Sequence, residues 1–128
     1  METQVKKMLR QKKYYMAEQR MLTVCLDDLQ GAKESAKAAR LKQLNKWLTF
    51  IDGWLLLLSE DESFVVRRHL IDEIDWPRVT LEYEKIWGKA YAKSERTLRG
   101  YQQNALQKIV KFIAEHEDIL IDFEAGNV

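Results

Sequence analysis

Apolar residues recur at steps of three and four over a long N-terminal stretch, which is the spacing of one helix face. This pattern predicts a first helix over about residues 3–29, and Gly31 predicts its end. The apolar positions of this helix are Val5, Met8, Leu9, Tyr15, Met16, Leu22, Cys25, Leu26 and Leu29.

A second helix is predicted over about residues 33–57, where the apolar steps alternate strictly between three and four. We call these positions the leucine seam: Leu41, Leu44, Leu48, Ile51, Leu55 and Leu58. Trp47 and Trp54 lie beside the seam, one heptad apart. Such a seam is typical of coiled coils. An antiparallel hairpin within one chain would use it, and so would an intermolecular coiled coil that joins two arms into a homodimer. The pattern does not decide between them.

Three shorter helices are predicted after the seam, over about residues 60–72, over about 76–88, and from residue 95 onward. Each begins with a capping signal. These signals are Ser59 with Glu62 at capping-box spacing, Asp75 before Trp76-Pro77, and Ser94. Trp76 and Tyr101 are expected to lie in the core of this unit.

The composition favours an all-α protein with a real core. Of 128 residues, 46% are hydrophobic, and there are only 5 Gly and 1 Pro. No run of alternating β-branched residues predicts a strand. We therefore expect a helical hairpin or coiled-coil-like arm over residues 1–58 and a second helical unit over residues 59–128.

Several functional classes find no support in the sequence. The single cysteine, Cys25, cannot form an intramolecular disulfide and is expected to be a small core residue. The longest apolar run, "WLLLLS", is too short to span a membrane, so a cytosolic protein is expected. His69 and His116 have no ligand-spaced partners, and no phosphate loop, HExxH motif or activated nucleophile is present. We expect no metal, no cofactor and no catalysis.

The charge distribution is more informative than the net charge of +1. Residues 1–58 contain 11 Lys/Arg and 6 Asp/Glu, whereas residues 59–128 contain 10 and 14. Within this acidic half, residues 85–111 contain seven Lys/Arg and only one acid, Glu95. A local basic stripe attracts phosphates even when the average charge is near zero, although a solvated helix face looks the same.

Two short helices followed by a third with a polar, basic leading face have the layout of a helix-turn-helix. In that layout the last helix enters the major groove, where Arg can read guanine and Gln can read adenine. The predicted base-reading residues are Arg96, Arg99 and Gln103. The predicted phosphate contacts are Lys93, Ser94, Thr97 and Lys108.

Residues 58–113 resemble region four of bacterial sigma factors, as found in small phage regulators of the ArpU/RinA type. The segments that carry the resemblance are "LSEDESFVVRRHLIDEIDW", the scaffold-like "WPRVTLEYEKIWG" and the recognition-like "SERTLRGYQQNALQKI". The resemblance implies a sigma-region-four-like helix-turn-helix and a DNA-binding regulator of phage or prophage late genes. It further implies promoter DNA as a partner, RNA polymerase as a second one, and the cytoplasm of a bacterial host.

The chain departs from that family in two places. Trp76 and Thr97 are 21 positions apart, which makes the turn before the last helix long. Gly100 and Gln102 stand where the family often has basic residues, so weaker DNA binding with a shallower salt dependence is expected. A glycine within a helix costs about 1 kcal/mol relative to alanine, but it permits close approach to a DNA backbone.

Two other functions remain open at this point. In the first, the protein is an interaction module whose working surface is the leucine seam with Trp47 and Trp54, and the C-terminal unit is a scaffold or binds polymerase. In the second, it is a small-terminase-like subunit that recognises DNA for phage packaging.

Overall fold

The computed structural model describes residues 1–28 and 32–116, and these residues contain helices and short connections but no strand. The all-α prediction is confirmed. The helices are α1 (Glu2–Asp28), α2 (Ala32–Leu56), α3 (Glu60–Val65), α4 (Trp76–Trp87) and α5 (Glu95–Glu115). A π-helical segment, Val66–Ile71, continues α3, and a 3₁₀ turn, Lys89–Tyr91, lies between α4 and α5. Gly31, predicted to end the first helix, lies outside the described residues.

α2 packs antiparallel against α1. Lys12 in the first half of α1 pairs with Asp52 near the end of α2 at 3.5 Å. Glu18, later in α1, accepts hydrogen bonds from Arg40, earlier in α2. Four of the six residues of the leucine seam are buried. Its buried members are Leu44, Leu48, Ile51 and Leu55. The structure therefore uses the seam inside one chain.

One hydrophobic cluster joins α1, α2, the π-helical segment and α5, and a smaller one joins α3, α4 and α5. The first contains Val5, Met8, Leu9, Leu44, Trp47, Ile51, Trp54, Leu55, Val66, Leu70, Ile71, Ala105, Leu106, Ile109 and Ile113. The second contains Val65, Trp76, Val79, Tyr83 and Leu98. Because the first cluster draws on both ends of the chain, the boundary predicted at residue 58 does not separate two cores.

All three predicted N-caps are present. The side chains of Ser59, Asp75 and Ser94 each accept a hydrogen bond from the backbone N–H three residues later. In the first cap, Glu62 also accepts from the backbone N–H of Ser59 at 2.9 Å, which completes the capping box. These local bonds fix where the three C-terminal helices begin.

Ion pairs connect α1, the π-helical segment and α4 on the surface. Asp72 accepts from Lys13 at 2.9 Å and from Arg68 at 3.3 Å. Arg68 also lies 3.4 Å from Glu82, which pairs with Arg78. Single exposed pairs contribute little, but a network that links three elements favours one arrangement of them.

The leucine seam provides a direct test of this packing, because adjacent leucines have opposite environments. Leu55 is 5% exposed and Leu56 is 87% exposed. We expect Leu55→Ala to lower the free energy of unfolding by about 2–5 kcal/mol. Leu56→Ala should change it by less than about 0.5 kcal/mol. Urea denaturation measures both, and equal losses would contradict the burial of the seam.

Candidate nucleic-acid interface

α5 has one buried face and one exposed face along its length. The buried residues are Leu98, Gln102, Ala105, Leu106, Ile109 and Ile113. We call the opposite side of its first three turns the exposed ridge, formed by Arg96, Arg99, Gly100, Gln103, Asn104 and Gln107. Two guanidinium groups and three amides therefore face outward from the half of the helix that follows the Ser94 cap.

The two arginines of the ridge differ in how they are positioned. Arg99 pairs with Glu95 one turn earlier at 3.4 Å, and its side chain is 57% exposed. Its guanidinium carbon lies over the ring of Trp76, 5.2 Å from the centroid. Arg96 is exposed and has no acidic partner within residues 1–28 and 32–116. Arg99 is thus pre-positioned, whereas Arg96 is free to follow a partner.

Trp76 is 8% exposed, which confirms that it is a core residue. It stacks on His69 with the ring centroids 3.9 Å apart. His69 in turn donates from Nδ1 to Oε1 of Gln102 at 2.7 Å. Gln102, one of the two positions at which the sequence departs from the family in lacking a basic residue, is buried in the structure. Its spacing of four residues from both Leu98 and Leu106 was the signal that could have shown this.

The amino-terminal part of α1 lies beside the ridge. Gln103 donates from Nε2 to Oε2 of Glu2 at 3.3 Å.

Burial lowers the pKa of His69, and the nearby cations Arg10, Arg99 and Lys6 lower it further, against an opposing effect of the Gln102 hydrogen bond. The folded protein therefore favours neutral His69, surrounded by positive charge from both α1 and α5. Sequence patterns gave no signal that these two helices meet.

Lys108, one of the predicted phosphate contacts, bonds within the protein. Its ammonium donates to Glu62 at 2.7 Å, and only 8% of the Glu62 side chain is exposed. Burial acts to raise the pKa of the Glu62 carboxyl, but the bonds from Lys108 and Ser59 outweigh it and the pKa is lowered. In this structure Lys108 connects α5 to the start of α3.

The other predicted phosphate contacts lie at the amino end of α5. Lys93 is exposed, and the hydroxyl oxygens of Ser94 and Thr97 are 3.0 Å apart at the cap. The connection from α4 to α5 runs over residues 88–94, with Gly88 at a φ of 92°. This is longer than the three or four residues of a standard helix-turn-helix turn.

Further expectations concern residues outside the ridge. Trp47 and Trp54 are buried with the seam, so the interaction surface considered for them is not exposed here. Cys25 is half-buried rather than a core residue, and Tyr101 is half-buried against the smaller cluster.

No described helix is long and apolar enough to cross a membrane. No group of His, Cys, Asp or Glu among the described residues is placed to bind a metal ion.

Comparison of the chain with protein-family models, with curated proteins and with solved structures found no significant match. The resemblance to ArpU/RinA regulators therefore stays a prediction.

The environment of His69 predicts how stability depends on pH. Because the folded protein lowers the pKa of His69, the unfolded chain binds more protons below about pH 6.5. The stability that neutral His69 contributes is fully present above that pH, and it is lost as the pH falls through the lower pKa of His69 in the folded protein. We expect the free energy of unfolding to fall on acidification, and His69→Gln to remove part of that dependence.

Thermal or urea unfolding at a series of pH values measures this effect. His116→Gln is the control, because His116 is exposed at the end of α5. A wild-type pH profile that His69→Gln leaves unchanged would contradict the role assigned to burial.

Proposed function

We propose that this protein binds double-stranded DNA in a sequence-dependent manner through the exposed ridge of α5, and that it regulates late genes of a phage or prophage. The observation that supports this most is the composition of the ridge. Arg96 and Arg99 stand at its leading end and Gln103, Asn104 and Gln107 follow, and the ridge itself contains no acid. These are the side chains that read base edges in the major groove. Glu95 and Glu2 lie beside the ridge and contact Arg99 and Gln103, respectively.

The pre-positioning of Arg99 favours such readout. A guanidinium that presents two parallel N–H groups to O6 and N7 of guanine must be oriented before it binds, or it loses side-chain entropy on binding. Glu95 and the ring of Trp76 already restrict Arg99. Arg96 and Gln103 would complete the contact, Gln103 by exchanging its bond to Glu2 for an adenine edge.

Phosphate contacts are best assigned to the start of α5. Lys93, Ser94 and Thr97 surround its first turn, where the helix dipole and unpaired N–H groups favour an anion. Lys108 would have to leave Glu62, and an unpaired buried carboxylate is costly. Lys108 therefore fits better as the residue that keeps α5 in place on α3.

The regulatory role rests on the resemblance to ArpU/RinA proteins, with promoter DNA as the target and RNA polymerase as a further partner. A packaging subunit would use the same ridge. A promoter-driven reporter that responds to the protein supports regulation, whereas ring-like oligomers in sedimentation experiments would favour packaging. The seam-based interaction module is less favoured because the seam is buried in the hairpin.

Arg99→Ala tests base reading. On a duplex selected from a random pool, we expect the substitution to weaken binding by about 1–3 kcal/mol and to relax the preference at one base pair. The matched control is Arg40→Ala, since Arg40 also pairs with a glutamate and lies over a tryptophan, but in the α1–α2 hairpin. Gel-shift titration measures both, and equal loss on random DNA would reject the base-reading role of Arg99.

Gly100→Ala tests how closely DNA approaches α5. A Cβ at Gly100 would meet no atom within 4 Å, so the fold does not require glycine there. We expect alanine to stabilise the protein by about 1 kcal/mol, from its higher helix propensity, and yet to weaken DNA binding. Gly53→Ala in α2 is the control, because it also has open space and should add stability alone. Unchanged DNA affinity in Gly100→Ala would exclude close backbone approach at this position.

A further inference from the structure

The amino-terminal turns of α1 bring a second set of cations to the side of the ridge. Glu2 bonds to Gln103 of α5, and Lys6 lies one turn further along α1, 3.8 Å from Glu2. Arg10 follows one more turn on. Lys6, Arg10 and Arg99 all lower the pKa of the same half-buried ring, His69. Cations that are far apart in sequence therefore gather where α1 passes α5.

We propose that Lys6 and Arg10 contact the phosphates of the DNA strand that flanks the groove entered by α5. This inference rests on the proposed DNA binding and adds α1 to the interface. α1 would then act as part of the DNA-binding surface as well as part of the core.

The charges of these two residues are available to a partner. Arg10 is exposed and has no acidic partner in the described parts of the chain. Lys6 has one acidic partner among the described residues, Glu2, which lies one turn earlier on α1 at 3.8 Å and is itself partly exposed. Lys13, the next cation on this side of α1, is different, because it pairs with Asp72 at 2.9 Å and thereby belongs to the ion-pair network.

Their spacing suits a phosphate backbone. Residues four apart on a helix lie on one face and are separated by about 6 Å along its axis. Each DNA strand carries one negative charge per about 3.4 Å of axis. Lys6 and Arg10 can therefore meet two different phosphates of one strand without any change in α1.

Replacing Glu2 should strengthen DNA binding, whereas replacing Lys6 or Arg10 should weaken it. Its carboxylate lies between Lys6 and Gln103, so a phosphate bound at Lys6 would be repelled by it. DNA binding would also require Gln103 to leave Glu2. Glu2→Gln removes the repulsion and should tighten binding to any duplex.

The test is the salt dependence of DNA affinity, measured by fluorescence anisotropy on the selected duplex and on a random one. Three proteins are compared: wild type, Lys6→Gln/Arg10→Gln, and the control Lys37→Gln/Lys42→Gln, which makes the same charge change on α2. The logarithm of the affinity falls as the logarithm of the salt concentration rises, and each lost phosphate contact reduces the steepness of that fall by about 0.9. For the Lys6→Gln/Arg10→Gln variant we expect the salt dependence to be shallower by about 1.8 on both duplexes. Its base preference should be that of wild type.

The outcomes separate this inference from the proposed function. If the α1 variant keeps the wild-type salt dependence while Arg99→Ala still loses its base preference, the α1 contacts are rejected and base reading by the ridge is retained. If the α1 variant has a shallower salt dependence but Arg99→Ala has no effect, α1 binds DNA and base reading by the ridge is rejected. No binding of wild type to either duplex at low salt overturns both. Weaker binding by Glu2→Gln would also contradict a phosphate beside Lys6.

Discussion

The arrangement depends on the burial of one face of α5 in a core built from both ends of the chain. Leu106, Ile109 and Ile113 are fully buried among side chains of α1, α2 and the π-helical segment. Each such side chain contributes about 1.5–3 kcal/mol when it leaves water. A helix that commits one face to a core presents its other face to solvent, so the polar ridge is exposed as a consequence of the packing that stabilises the fold.

Trp76 connects that packing to the chemistry of the ridge. It belongs to the smaller cluster through α4, stacks on His69 and lies under Arg99. His69 then reaches Gln102 on the buried side of α5. The orientation of an arginine on the surface therefore depends on the position of α4 and on the neutral state of a histidine. This is how a fold can orient a surface arginine without placing it in a rigid pocket.

The sequence predicted most of the helices and their beginnings, because helix periodicity and capping depend on residues close together in the chain. It did not predict which helices meet. The bond between His69 and Gln102, the ion pair of Lys108 with Glu62, and the approach of Glu2 to Gln103 all join residues more than thirty positions apart. Periodicity shows which face of a helix is buried but not which neighbour covers it. The exposed ridge could therefore be predicted, whereas the approach of α1 to it could not.

Although the net charge is near neutral, the cations form two groups that differ in their acidic partners. Arg40, Arg68 and Lys108 each pair with an acid that lies elsewhere in the fold, and those pairs connect helix to helix. Arg96 and Arg10 have no such acid within the described residues, and Arg99 has one only on its own helix. A partner with dense negative charge would meet the second group without disturbing the first. Because the second group lies along α5 and the adjoining turns of α1, its extent supports the proposal of an extended polyanion such as duplex DNA rather than a single small anion.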